Sequence, residues 1–462
     1  MERKNNLLTT FFLIAIAVSI GYVILMDPFS GLMIAGGIIV LMLAVLVPWI
    51  LVSMLLAFTP FQILWFNSSG IAFLEVVYSG IFVLLLTCWM IKSISDLAIK
   101  DELPKLGSAT LFPLALFFVV TLYSVFIAIS KDRPLLAWGS HLNLISFYAI
   151  CFVIAGYLRS LKDLNRIFIV LFIFTLIAVV RGVFYNLAVD PKTVYIGGSA
   201  IPRIARASSA GLVIFMMSIP FAVLSKDNKV KIFYVLSTLF FGIQQVVAFV
   251  RSRWLGSIAG IIFLFLVLTP MRKMRFLKYI LIVLLLVCIY IEASSFFPYE
   301  NLLFRLPYLI SERFSTILRP SEEPTAVTRF SEWKAAIEKI RQHPIMGNGL
   351  GTQVSYIRYD RAKMPIDTSV YIHNSYLFYY LNTGLFGLIA ILWFSVAFIF
   401  YGLKVCKATK NEYYSIFALS CVVAFVALSA ASFTGPELSF PGRTIVIGFL
   451  VGAVALIDKH KT

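Results

Sequence analysis

Few residues in this chain can move a proton near neutral pH, and one of them stands at the end of an arginine-rich stretch. Of four histidines in 462 residues, His373 opens the string Tyr371-Ile372-His373-Asn374-Ser375-Tyr376-Leu377. The segment before it, 295–372, carries Arg305, Arg313, Arg319, Arg329, Arg341, Arg358 and Arg361. Two shorter clusters add Arg203 and Arg206, in the run from Gly197 to Arg206, and Arg251 and Arg253, in Arg251-Ser252-Arg253-Trp254-Leu255. An imidazole accepts or releases a proton at physiological pH. A guanidinium keeps its charge at any depth and grips phosphate or carboxylate through paired hydrogen bonds. Together these residue types point to an anionic ligand. Three structural readings stand beside that one. The arginines can pair with Glu312, Glu322, Glu323 and Asp360. Arg251 and Arg253 can reach out to lipid headgroups. His373 can simply cap or hydrogen-bond at the start of a helix.

Spacing ties further residues to these. Gly384 and Gly387 follow His373 by eleven and fourteen positions, which at 100° per residue brings them back to within about 20° and about 40° of its direction. On one unbroken helix they share its face and let a neighbouring helix approach closely. Upstream, Phe330, Trp333, Ile337 and Ile340 recur at helical steps, an apolar stripe able to lie on a membrane surface. His343-Pro344 ends that helix. Gly347, Gly349 and Gly351 then make either a stretch whose N–H groups face a ligand or a tight reversal without one. Asp360 and Asp367, seven apart, are the acids spaced to hold a cation; no metal or other cofactor is otherwise indicated.

The elements that must position these groups are membrane helices. The chain is 60% hydrophobic and 13% charged, with a mean hydropathy of +0.93, well outside the range of soluble domains. The uninterrupted apolar runs exclude an alternating transmembrane barrel. Spans are expected near 7–25, 31–46, 47–64, 72–91, 109–129, 141–157, 167–184, 207–224, 232–249, 254–270, 279–294, 374–402, 412–432 and 444–457. The reading is all-α: a polytopic bundle of roughly 12–14 spans with one long loop containing short helices. It divides into 1–294 (eleven spans), 295–372 (the long loop) and 373–462 (three spans). Splitting 31–64 at Val47-Pro48 puts the lysine-rich loops and both termini on one side, cytoplasmic by the positive-inside rule. Fifteen of the 20 lysines fall on that side and 14 of the 19 arginines on the other. Glu75 and Arg181 lie toward the outer ends of their spans, so the span interiors lack the midplane charges expected of a transporter. None of the five cysteines falls in the long loop, so no disulfide framework is indicated. The first apolar run lacks a signal-peptide cleavage site. Nothing points to nucleic acid.

The combination of His373-Asn374, Gly384 and Gly387 with Arg251 and Leu255 four positions later resembles the motif pair of bacterial O-antigen ligases. Arg329-x-x-x-Trp333, His343-Pro344 and the Gly-x-Gly turn before His373 are similar to the shared carboxy-terminal region of that superfamily, which includes the O-antigen and exopolysaccharide polymerases. The likeness covers roughly 200–400; the first 150 residues match only in hydropathy.

The resemblance implies a glycosyltransferase of the bacterial inner membrane with its site facing the periplasm. The donor would be a glycan on undecaprenyl pyrophosphate, and the acceptor a sugar hydroxyl of lipid A-core or, for a polymerase, of a second lipid-linked glycan. A chain-length regulator is a possible partner, beside membrane lipids. It casts His373 as the base or as the group that orients the acceptor. Arg251 and Arg329 would meet the departing pyrophosphate, with Arg203, Arg206, Arg253, Arg313 and Asn374 behind them. Single displacement with inversion is the expected chemistry, without a metal. A transporter or flippase for the same lipid-linked anion is the competing class.

Overall fold

Long runs of Leu, Ile, Val and Phe favour helices in lipid because a helix satisfies its own backbone polar groups. The computed structural model describes residues 37–461 apart from 38, 62–72, 101–107, 189–192, 197–198, 203–208, 297–301, 361–364 and 441. Its helices are α1 (Pro48–Phe58), α2 (Phe73–Lys100), α3 (Ser108–Ser130), α4 (Leu135–Ser146), α5 (Ile150–Tyr157), α6 (Leu161–Ala188), α7 (Ser209–Leu224) and α8 (Asn228–Val247). They continue as α9 (Arg251–Val267), α10 (Pro270–Ser295), α11 (Leu302–Leu318), α12 (Pro324–Gln342), α13 (Ser375–Ala408), α14 (Glu412–Ala431) and α15 (Thr444–Lys459). Two antiparallel hairpins complete it: β1 (Thr193–Ile196) with β2 (Ser199–Pro202), and β3 (Val354–Ile357) with β4 (Ile366–Ser369).

Each expected span from 72–91 onward coincides with a helix, the one at 141–157 being α4 and α5 run together. Among the described residues eight helices are long and apolar enough to cross a membrane. The chain is an all-α polytopic bundle. The two spans expected at 31–46 and 47–64 are instead a bent pair, Ile39–Leu46 and Pro48–Phe61, meeting at 109° and counting together as at most one crossing by length. Pro48 opens the second arm, where its missing N–H is harmless, while Val47 leaves the helical region. The expected span at 7–25 lies outside the described residues.

The bundle's centre is α7, α14 and α15, apolar all round and almost wholly buried. Helix α9 packs on α14 through Gly256 and Gly260; a Cβ at Gly260 would lie 3.1 Å from Ala427 Cβ. That close approach sets Arg251 and Arg253, at the start of α9, beside the connection from α14 to α15. Helix α10 is peripheral, with Leu281, Leu284, Leu285 and Leu286 exposed.

Helix α13 does not run on from His373 as one face. It begins at Ser375 and breaks at Gly384, where φ is 69° and ψ −166°. The common face drawn through His373, Gly384 and Gly387 is therefore overturned: a helical wheel needs an unbroken helix, and His373 precedes this one. What Gly384 admits is no neighbouring helix but the backbone of Ile345 to Gly347. Leu385 N–H donates to the carbonyls of Pro344 and Ile345, both at 3.0 Å. In return, Asn348 N–H donates to Leu381 O (2.8 Å) and Gly349 N–H to Asn382 O (3.0 Å). The glycine turn plugs the break and satisfies the carbonyls that the break exposes.

Candidate functional site

The site lies where α9, α11, α12, the start of α13 and the α14–α15 connection meet, at the end of the bundle that carries the long loop. The turn leading into α9 holds Phe249 at φ 52°, buried and left-handed without being glycine, a conformation that costs about 1–3 kcal/mol and persists only where the surroundings enforce it. Trp254 Nε1 donates to Gln245 O (2.9 Å) and Arg313 Nε to Phe249 O (3.3 Å), tying the turn from both sides.

Arg251 is thereby presented to α11 and α12. Its Nη2 donates to Glu323 Oε2 at 2.6 Å and to Thr325 Oγ1 at 3.0 Å, and its Nη1 reaches Thr316 O at 3.3 Å. Arg313 Nη1 holds the other carboxylate oxygen of Glu323 at 3.0 Å. Glu323 also caps α12 by accepting from Ala326 N–H at 2.9 Å. Burial pushes the Glu323 carboxyl up, but Thr325, Arg251 and Arg313 together hold it below the usual carboxylate value. Two guanidiniums on one carboxylate leave this cluster a net cation. The pairing of outer arginines with acids is thus real for Arg251 and Arg313.

Arg253, two residues on, points elsewhere. It is buried, with Nε 3.4 Å from Glu437 Oε1 and Nη2 3.2 Å from Ser209 Oγ, and Arg443 approaches the same carboxylate at 3.2 Å. Burial acts to raise the Glu437 carboxyl; Arg443, Arg253 and Ser209 outweigh it and hold it low. This second Arg–Glu–Arg cluster locks the α14–α15 connection. The expectation that Arg253 contacts substrate is corrected: its guanidinium is enclosed with Glu437.

The first cluster borders an open cleft lined by Arg251, Leu255, Thr316, Ile317, Pro320, Ala326, Arg329, Phe330, Trp333 and Thr434. Arg251 and Leu255 of the sequence motif thus line one cavity with Arg329 and Trp333. Arg329 Nη1 donates to Thr434 O at 2.9 Å. One turn along α12 from Arg329, Glu332 is 1% exposed and accepts from His373 twice. His373 Nδ1 lies 3.2 Å from both carboxylate oxygens and its backbone N–H 3.0 Å from Oε2. An ionised carboxylate only accepts, so the hydrogen is assigned to Nδ1 and the lone pair to Nε2. The ring itself is 49% exposed. This is the arrangement that makes an imidazole a directed proton acceptor.

Sequence reasoning missed Glu332. The stripe of Phe330, Trp333, Ile337 and Ile340 described the outward face, where Phe330 and Ile337 are exposed, whereas Glu332 belongs to the buried row of Thr328, Glu332, Ala336 and Ile340. A signal existed, since Arg329 and Glu332 sit one turn apart just before the tryptophan of the motif. Asn374 is also corrected. Its Oδ1 accepts from Tyr376 and Leu377 N–H, both at 3.0 Å, capping α13 rather than facing the cleft. The glycine N–H groups are engaged within the protein, Gly347 with His343 O, Gly349 with Asn382 O and Gly351 with His141 Nδ1, each at 3.0 Å. Asp360 and Asp367 both hold Arg358, at 2.6 and 3.0 Å. Arg203 and Arg206 lie outside the described residues.

Residues 236–392 match the family model described as O-antigen ligase. No curated protein matches the chain. The matched segment runs from α8 into α13 and contains Arg251, Arg329, Glu332 and His373. It supports the O-antigen ligase and polymerase superfamily, and with the bundle of apolar helices a multi-pass membrane enzyme of that kind.

Proposed function

We propose that this protein transfers a glycan from undecaprenyl pyrophosphate to a sugar hydroxyl of lipid A-core at the periplasmic face of a bacterial inner membrane, both termini being cytoplasmic with the bent pair at 39–61 re-entering the side it left. The observation that carries this reading is the pairing of half-exposed His373 with buried Glu332, on the same helix as the cleft-lining Arg329. In the step, the acceptor hydroxyl gives its proton to His373 Nε2 as its oxygen bonds to the anomeric carbon. The bond from that carbon to the pyrophosphate oxygen breaks on the opposite face, and its electron pair leaves with the pyrophosphate. Arg251 and Arg329 meet the charge that develops there. The product is inverted.

Glu332 fixes the ring and stabilises the imidazolium after proton transfer, as a carboxylate does for other catalytic histidines. Arg313 and Glu323 hold Arg251 in place, and Arg203 and Arg206 are assigned to the donor's charge. Asn374 keeps a supporting role through its cap. Leu255, Ile317, Phe330 and Trp333 give the cleft an apolar wall suited to the donor's isoprenoid.

The test is transfer by the purified full-length protein from undecaprenyl-pyrophosphate glycan, with rough lipopolysaccharide and a second lipid-linked glycan offered as acceptors. Product on lipopolysaccharide is expected. Product only on the lipid-linked acceptor makes the enzyme a polymerase with the same site. His373→Gln is expected to lower the rate by roughly 10²–10⁴ while the protein stays monodisperse; undiminished transfer by that variant removes His373 from the mechanism.

A further inference from the structure

The carbonyls of the glycine turn are gripped by three cations. Arg133 Nη1 donates to Gly349 O (2.6 Å), Leu350 O (2.7 Å) and Thr352 Oγ1 (2.7 Å), and its Nη2 to Asn348 O (2.7 Å). Lys131 Nζ lies 3.3 Å from the same Asn348 oxygen, so the two charges are within about 6 Å of each other. Lys339, on α12, donates to Gln353 O. Among the described residues no carboxylate comes within ion-pair distance of any of the three.

A carbonyl dipole accepts a hydrogen bond without cancelling a unit charge, and the last carbonyls of α3 offset Lys131 only in part. Burial and mutual repulsion hold both ammonium groups below the ordinary lysine value. Asp132 and Glu338, their chain neighbours, are exposed and pair with none of them. The cluster keeps an excess of positive charge that a bound anion would relieve.

Its place says what kind of anion. Residues 131–134 join two membrane-crossing helices, α3 and the α4–α5 run. On either side Phe126, Ile129, Leu135 and Leu136 are 51–69% exposed, an apolar flank for lipid chains. The cations sit where those chains would end. Lys131 is exposed and has only one of its three ammonium hydrogens engaged by a hydrogen bond in the structure. We infer that Lys131, Arg133 and Lys339 form a second anion site, separate from the cleft lined by Arg251 and Arg329, that takes a phosphate group at the membrane boundary, carried by the headgroup of an anionic lipid or free in solution.

Native mass spectrometry of the detergent-solubilised full chain tests this with phosphatidylglycerol, phosphatidic acid and phosphatidylcholine as probes. The wild type is expected to retain the two anionic lipids over phosphatidylcholine. Lys131→Gln and Lys339→Gln should each weaken that preference about tenfold, the effect of losing one charge-assisted contact, while Lys334→Gln, an exposed lysine on α12 outside the cluster, leaves it unchanged. Inorganic phosphate is then titrated at constant ionic strength. Displacement of the lipid shows that the phosphate group alone is recognised, from either source; persistence of the lipid identifies the headgroup as the source. Equal retention of anionic and zwitterionic lipid by the wild type, or anionic preference undiminished in both lysine variants, overturns the site. Lys131 is exposed, so its variant reads binding even if Lys339→Gln lowers the yield of folded protein.

Discussion

Two regions at the same end of the bundle are built from the same residue types and do opposite things with them. In the first, His373 gives Nδ1–H to buried Glu332 and keeps Nε2 on a half-exposed ring, while Arg329, on the same helix as Glu332, lines open volume with Arg251. Around the glycine turn, His141 is fully buried and accepts Gly351 N–H at Nδ1, so its hydrogen sits on Nε2, and Arg133 is engaged by backbone carbonyls. The first histidine is arranged to take a proton; the second holds one segment of chain against another. What separates the two histidines is the partner at Nδ1 and the room at Nε2, and not the presence of an arginine nearby.

The contrast can be broken or sharpened by substitution. The largest effect should come from Arg329→Ala, which removes charge where pyrophosphate is proposed to leave and should lower transfer by about 10²–10³, against at most a few-fold for His141→Asn in the same assay. Gly384→Ala should instead strike folding. A side chain there meets the Ile345 to Gly347 backbone in a conformation open to glycine, so a loss beyond about 3 kcal/mol is expected, read as failure to survive mild heating before size-exclusion chromatography. Gly347→Ala, across the same contact at φ 78°, should behave alike.

A smaller change is expected of Glu332→Gln. It keeps the shape but removes the charge that stabilises the imidazolium, so kcat should fall about 10–100-fold and the acid limb of the pH–rate profile should move. A loss of yield with an unmoved profile would make Glu332 merely structural. His141→Ala should cost about 1–3 kcal/mol by leaving Gly351 N–H unsatisfied, seen as a lower Tm with transfer intact at low temperature.

The mildest effect is that of pH on the two Arg–Glu–Arg clusters. Glu323 and Glu437 are held below the ordinary carboxylate value when folded. Their contribution to stability is therefore complete above that ordinary value and lost as pH falls through the lowered ones. Acid should lower Tm in the wild type, and less so in Glu323→Gln, whose tie is already broken.

Much of this was legible in the chain. The apolar runs that became helices from α2 onward carry their own instruction, because a backbone in lipid must bond to itself. The arginines of 295–372 could be read straight from the chain, and of the motif residues Arg251, Leu255, Arg329 and Trp333 line one cleft, while His373 is tied through Glu332 to the helix that carries Arg329. Helix wheels failed at α13 because a helical wheel assumes continuity, and a single glycine at φ 69° broke it. The stripe on α12 gave no sign of Glu332, because hydrophobicity marks an apolar face and says nothing of a carboxylate buried on another.

By itself, then, the sequence determined an all-α membrane bundle, the long segment in which its arginines collect, and the residue types available for chemistry there. The tertiary structure alone decided how each charge is used: Arg251 shared with Glu323, Arg253 sealed with Glu437, Asn374 on its cap, the glycine turn in the break of α13, and Glu332 beneath His373. Hydropathy is a sum over local residues and survives without knowledge of neighbours. An ion pair or a tautomer depends on which atom lies within about 3 Å, and residues as far apart in the chain as Glu332 and His373 meet only once the helices have packed.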